Sequence, residues 1–267
     1  MSEPVAVRDL VAALDEISPP DLHEDWDNTG LLLGDPAAAS SSVLTCLTLT
    51  PDVAAEAIEG EHGLVVTHHP ILFRPVQRLT ADDPQGAMLL ELAQAGVAVY
   101  SPHARWDNAD GGINDRLAER FGLTDVLPMR VRDDLSTKTP RGAGRIGTLT
   151  EPLSFATFVD RVKVSLALPG LDAVPTKRPV RRVGVACGAA GSYLADAVAA
   201  DCDAFVTGEA RFHTALEARG SGVGLVLLGH YASERFSLEE LAGILADRFP
   251  DLTVQPSDVE RDPLIRC

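Results

Sequence analysis

Gly63-Leu64-Val65-Val66-Thr67-His68-His69-Pro70 is a short apolar run that ends on a threonine and two histidines. Its length and β-branched content read as a buried strand, and Pro70 keeps a helix from starting at His69. The same arrangement recurs three times downstream. Residues 97–101 precede His103 and Asp107, residues 204–207 precede Glu209 and His213, and residues 225–228 precede His230 and Glu234. Polar residues with ligand potential therefore collect past the carboxyl ends of four predicted strands, the edge at which open α/β sheets bind ligands.

Outward from these runs, short β-branched or Leu-rich segments alternate with Ala-rich stretches whose apolar residues lie three and four apart. This is the pattern of an α/β protein with parallel or mixed sheets. Further strands are predicted at 31–33, 43–49, 145–149, 182–186 and 252–255. Helices are predicted at 5–17, 53–59, 86–95, 113–121, 154–166, 193–200, 212–219 and 238–249. The last has Ser237 and Glu240 in capping-box spacing and Pro250 at its end. The Arg-, Pro- and Thr-containing stretches 128–150 and 169–182 predict a linker and a surface loop. The expected organisation is a first α/β domain from residues 1–127 and 235–267 and a second from 128–234. Residues 64–69 and 204–209 echo one another, as two similar halves would.

The 267 residues carry 23 Lys+Arg against 39 Asp+Glu, a formal charge of −16. Such a field opposes polyanion binding on a broad basic surface, so nucleic acid is not an expected partner. Cys46, Cys187, Cys202 and Cys267 lie far apart with no C-x-x-C, which fits neither a zinc ribbon nor a disulfide framework and predicts a reducing cytoplasm. No apolar run approaches the roughly 18 residues of a membrane span, and the first residues lack the basic and apolar segments of a signal peptide.

Adjacent side chains leave an extended segment in opposite directions, so His68 and His69 can serve two metals, straddle one site, or be ordinary loop histidines. His230 and Glu234 are four residues apart, which on a helix puts imidazole and carboxylate on one face, as ligands or as a solvated pair. Asp107 precedes Gly111-Gly112, a context that equally suits an Asx turn. Together, three His, one Asp and one Glu form a mixed nitrogen and oxygen set suited to Zn²⁺, Mn²⁺, Fe²⁺ or Co²⁺. Five ligands exceed the need of one tetrahedral ion, which points to two. Residues 187–192, CGAAGS, follow a predicted strand and suit either a phosphate cradle or a tight turn. Trp26-Asp27-Asn28 reads as a turn with Trp26 packed into the domain and Asp27 tying down backbone amides, or else as a segment at the site, and Lys177, Arg178, Arg181 and Arg182 read as a solvated basic loop or as a cluster that attracts an anionic substrate.

WDNTGL (26–31), THHPILF (67–73), the segment from His103 through Asp107 to Gly111-Gly112-Ile113-Asn114-Asp115, VTGEARFH (206–213) and GHYASE (229–234) occur in an order that resembles the Nif-three-like dinuclear metal-centre family. Members are often labelled GTP cyclohydrolase I type 2 homologues. The resemblance implies two similar α/β domains facing each other across a cleft and a toroidal homohexamer. It further implies that His68, His69, Asp107, His230 and Glu234 hold two divalent ions, with Glu234 bridging, and that His103, Glu209 and His213 are pocket or acid–base groups. Three departures bear on the pocket: Thr48 stands where relatives usually show Asp, HARWD (103–107) replaces HTNLD, and Glu209 stands where Asp is common. No inserted domain fits between Pro128 and Arg182, so the chain resembles a short form.

The expected function is a metal-dependent hydrolase of the GTP cyclohydrolase kind acting on a small anionic substrate. The alternatives are a metal-binding or metal-delivery protein without turnover and, third, a phosphoesterase.

Overall fold

The computed structural model describes residues 4–132 and 140–265. In chain order the elements are β1 (Val5–Ala6), α1 (Val7–Ile17), β2 (Gly30–Leu33), β3 (Ala39–Ser40), β4 (Ser42–Cys46), α2 (Pro51–Glu59), β5 (Leu64–Thr67), α3 (Pro84–Ala95) and β6 (Ala98–Ser101). There follow α4 (His103–Asn108), α5 (Ile113–Arg120), β7 (Leu123–Val131), β8 (Gly142–Leu153), α6 (Phe155–Ser165), β9 (Asp172–Val174) and β10 (Val180–Ala186). The last are α7 (Leu194–Ala199), β11 (Ala204–Thr207), α8 (Phe212–Ser221), β12 (Gly224–Leu227), α9 (His230–Glu234), α10 (Phe236–Arg248) and β13 (Thr253–Pro256). They form two compact units, Met1–Trp106 with Arg235–Pro263 and Asp107–Glu234 with Leu264–Cys267.

In the first unit the sheet runs β13-β4-β5-β6-β2, with β13, β4, β5 and β6 parallel and β2 antiparallel to β6. Each residue of β5 and β6 is buried, as both faces of a parallel sheet require. Leu44 and Val65 join α2 and α3 in a core with Ala54, Leu89 and Leu92, while Thr45, on the opposite face of β4, donates its hydroxyl to Leu238 O of α10 at 3.0 Å. Helix starts follow local chemistry: Thr50 accepts from Val53 N at α2, and Asp83 accepts from Gln85 N and Gly86 N at α3, each with Pro at the first helical position.

The second unit repeats the plan. Its sheet runs β7-β8-β10-β11-β12-β9, with β10, β11 and β12 parallel and the rest antiparallel. Phe205 and Leu225 pack with Leu194 and Ala197 of α7 and Ala218 of α8. On the other face Phe155 of α6 lies against Gly224, where a Cβ would strike its ring. The middle strands of the two parallel triplets, β5 and β11, are the two segments that echo one another in sequence.

Four expectations are corrected. The stretch 128–150 is not a linker: apart from 133–139, which lies outside the described residues, it holds the end of β7 and most of β8. Likewise 169–182 holds β9 and the start of β10. Residues 107–127 join the second unit, because α5 packs on β7, β8 and β10 and β7 is an edge strand of that sheet. The helix expected from Leu238 starts at Phe236, and Ser237 is not its cap but a buried residue whose hydroxyl accepts from Trp106 Nε1 at 3.3 Å.

The loop after β4 is fixed by one buried carboxylate. Glu260 accepts the amides of Leu47 at 3.0 Å and Thr48 at 2.7 Å, and it pairs with the buried Arg235 at 2.6 Å. Replacing it removes the partner of Arg235 Nε and leaves the buried Leu47 amide without its acceptor, although Arg235 keeps Glu239 and Ser257 O. Glu260→Ala is expected to lower unfolding free energy by about 3 kcal/mol, read as a fall in the urea midpoint with m unchanged. A loss below about 1 kcal/mol would show that this buried pair does not organise the loop.

Candidate metal centre

The first unit brings three histidines together. His68 N donates to Cys46 O at 2.9 Å and His69 N to Leu47 O at 2.8 Å, so hydrogen bonding between the β4 and β5 segments continues past the strand ends, where the chain bends at both histidines. Ser101 donates its hydroxyl to His68 O at 2.7 Å. His68 is buried and His69 half-buried, as opposite-facing neighbours are. His103 opens α4 with φ of 33°, a left-handed conformation uncommon outside glycine. Ring nitrogens of His68, His69 and His103 lie within 4.8 Å of one another.

Two of these rings are oriented from behind. Asp27, whose side chain is fully buried, meets His103 Nδ1 at 2.6 Å and also accepts the amides of Asn28 at 2.8 Å and Ala104 at 3.2 Å. Burial pushes the Asp27 carboxyl up, but the hydrogen bond and charge of His103 together with the two amides outweigh it and hold the carboxyl below its ordinary value. His69 Nδ1 meets the Thr48 hydroxyl at 2.7 Å. A partner on Nδ1 fixes ring orientation and leaves Nε2 as the ligand or proton-transfer nitrogen, which is how histidines at metal sites are held.

The second unit brings together carboxylates, a histidine and a thiol. Asp107 lies in α4, whose last carbonyls, Asn108 O and Ala109 O, accept from the buried Arg145 at 3.0 and 3.2 Å. Cys187 Sγ donates to Asp107 Oδ1 at 3.2 Å, and ligand oxygens of Asp107 and Glu234 lie within 4.8 Å. Burial, then the charges of Asp107 and Glu234, raise the Cys187 thiol well above its usual range. After β12, Gly229 turns the chain into α9, and His230 Nε2 meets the buried Glu234 at 3.1 Å. His230 Nδ1 meets Glu209 at 3.1 Å. The hydrogen bond to Glu234, opposed by burial and helped by Glu209, pushes His230 up to about 9. Two carboxylates thus hold a proton on an imidazole, a placement of positive charge that a metal cation would replace.

Residues 187–192 form a close-packed turn beside this set. Gly188 has φ of 63°, and a Cβ there would collide with Glu234 Oε1; a Cβ on Gly191 would lie 2.9 Å from that of Ala210. Both glycines admit neighbouring groups. His213 is exposed in the first turn of α8 with its ring edge-on to Phe212 at 6.0 Å, and among the described residues no hydrogen bond joins it to Glu209 or His230. Trp26 is 60% exposed, not packed into the domain as expected, because the turn directs it beside Phe73 and His103. In the basic loop Arg178 pairs with Asp201 at 3.2 Å and Asp203 at 2.8 Å.

The three departures find places. Thr48 and Glu209 each partner an imidazole, while Arg105 binds Asp15 at 2.6 Å and Ser18 O, and Trp106 binds Ser237, all in the framework of the first unit. The two parallel triplets also share a spacing: His103 and Asp107, four residues apart, follow β6, and His230 and Glu234, also four residues apart, follow β12. The sequence places Asp27 on backbone amides, as found with Asn28 and Ala104, but does not foretell its hold on His103, and Cys187 is not among the expected site residues. Cys187 carries one usable signal, its position just past β10, which corresponds to the loop past β4 that holds Thr48. The donors are imidazole and carboxylate, with Gly188 leaving room at Glu234, and such a set fits zinc or a mid-row transition metal rather than calcium.

Comparison with known proteins bears on this set. The chain is 35% identical over 274 residues to the Schizosaccharomyces pombe protein NIF3 homolog, covering 96% of each. It is 29% identical over 229 residues to a GTP cyclohydrolase 1 type 2 homolog of Clostridium perfringens, covering 85% of this chain and 86% of the relative. In fold it is similar to a Bacillus cereus protein related to NIF3, with a TM-score of 0.89 at 20% identity over all of both chains. Residues 5–263 match the family described as Duf34/NIF3 (NGG1p interacting factor 3), and the chain belongs to that family.

Proposed function

We propose that the chain is a dinuclear divalent-metal protein and a metal-dependent hydrolase of the GTP cyclohydrolase I type 2 kind. The observation that carries this reading is the gathering of imidazole and carboxylate donors past equivalent parallel strands in both units. In this reading His68, His69, Asp107, His230 and Glu234 are the five protein ligands of two ions of zinc, iron, manganese or cobalt, with Glu234 bridging. Relatives named GTP cyclohydrolase 1 type 2 homolog support the reaction class. A toroidal homohexamer, a cytoplasmic location and a small anionic substrate belong to the same reading; no described helix is long and apolar enough to cross a membrane.

Two divalent ions, when bound, lower the pKa of a water and stabilise developing negative charge. The chain's own part is orientation and proton movement. Asp27 holds His103 by Nδ1, so that Nε2 takes and returns the proton that moves during ring opening. Glu209 holds His230 by Nδ1, and Thr48 holds His69. His213, exposed at the head of α8, is the outermost pocket group.

A second reading, metal binding or delivery without turnover, is favoured by solvent access at one ligand, since the side chain of His230 is 34% exposed. Exposed ligands exchange metal faster than enclosed ones.

The two readings part on turnover. Native metal-loaded protein is expected to release formate from GTP, with Glu234→Ala and His103→Ala reduced at least about a hundredfold. Formate release no higher than that of the metal-free protein would reject the hydrolase. Metal uptake has its own signature. His230, held near 9, is protonated at pH 7 in the metal-free protein, and only the neutral ring is a ligand. Binding of Zn²⁺ at pH 7 is therefore expected to expel about one proton per chain from this residue, and affinity is expected to rise with pH up to about 9. Calorimetry in buffers of different ionisation enthalpy reads the number, and no proton release would contradict His230 as a ligand.

A further inference from the structure

We propose that Trp26 and Phe73 form an aromatic wall that binds a planar heteroaromatic ring, such as the base of a nucleotide, beside His103. The wall's catalytic purpose rests on the hydrolase reading above. Its geometry does not. Trp26 is 60% exposed and Phe73 45% exposed, yet both are held against a buried framework. Their ring centroids are 6.3 Å apart at 59°, so they do not stack on each other, and each stands edge-on to His103, at 5.9 Å and 89° for Trp26 and 6.2 Å and 85° for Phe73.

Three consecutive residues build this wall. Trp26 supplies a face, Asp27 fixes His103 by its ring nitrogen at 2.6 Å and Ala104 by its amide, and Asn28 donates Nδ2 to Leu72 O at 2.5 Å, which ties down the residue before Phe73. Gln85 donates to Ile71 O at 2.6 Å and fixes the same loop from α3. Rigid aromatic faces cost little further ordering when a flat π system covers them, and stacking on them tolerates different bases. The ring of His103 lies 5.3 Å from that of His68 and 5.8 Å from that of His69, so a heterocycle on the wall has its edge at the histidine donors. Arg74 and Arg78, both exposed, follow Phe73 on the same loop and supply local positive charge for an anionic substituent in a chain of net charge −16.

The test titrates metal-loaded, full-length protein with GTP, guanosine and ribose 5-phosphate while following heat and tryptophan emission. The chain has two tryptophans and Trp106 is 1% exposed, so ligand quenching reports Trp26. GTP and guanosine are expected to bind and quench, and ribose 5-phosphate to do neither. Trp26→Ala and Phe73→Ala are each expected to weaken GTP binding about tenfold, the size of one lost stacking contact, with metal content and oligomeric mass unchanged, and Trp26→Phe to keep most of the affinity. The proposal is overturned by any of four results: neither GTP nor guanosine binds, ribose 5-phosphate binds equally, Trp26→Ala leaves affinity unmoved, or it dissociates an oligomer without touching affinity. Formate release keeps the two readings apart. Quenching without turnover removes the hydrolase and leaves the wall; turnover with a KM insensitive to Trp26→Ala removes the wall and leaves the hydrolase.

Discussion

Parallel pairing of β4 with β5 and β6, and of β10 with β11 and β12, sends every strand of each triplet out of its sheet at the same edge. A parallel strand also needs a crossover helix before the next one, so the residues just past the strand ends sit where backbone amides and helix starts converge. The candidate donors follow from that constraint. His68 and His69 leave β5, His103 and Asp107 follow β6, Glu209 leaves β11, and His230 and Glu234 follow β12. The apolar strands could be exchanged for others of equal volume; the direction in which they run could not.

Orientation is the second layer. Imidazoles at a strand edge are useful only when one nitrogen is committed elsewhere, and the chain commits them with Asp27, Thr48 and Glu209. These partners are not interchangeable in energy. Asp27 is buried and anchored by two amides, so His103 is held firmly, whereas Thr48 and Glu209 are exposed and hold His69 and His230 more loosely. Thr48 orients its histidine with a neutral group that adds no negative charge.

Much of this was legible in the amino-acid sequence because buried parallel strands are written as unbroken apolar runs. The strand at 204–207 and the polar residues behind it, Glu209 and His213, can be read directly. Less legible were β7, an edge strand with mostly exposed or half-buried residues, and β8, whose first residues are buried although they include Gly, Thr and the buried Arg145, which is held by long-range partners. Ser237 reads as a helix cap by spacing alone, since nothing in the local sequence shows that Trp106, 131 residues away in the chain, takes its hydroxyl. Trp26 misleads for the opposite reason: a large aromatic residue predicts burial, and only the bonds of Asp27 and Asn28 explain why it stays in the open. Long-range partners of polar side chains are what a linear pattern does not encode.

The claim that these donors hold two metal ions is open to a direct count. Elemental analysis of protein equilibrated with a divalent metal and then freed of excess should give close to two ions per chain, with the content lost in both His68→Ala and Glu234→Ala while each variant keeps the native circular dichroism. Native metal content retained in both folded variants, or fewer than one ion in the native protein, would contradict it.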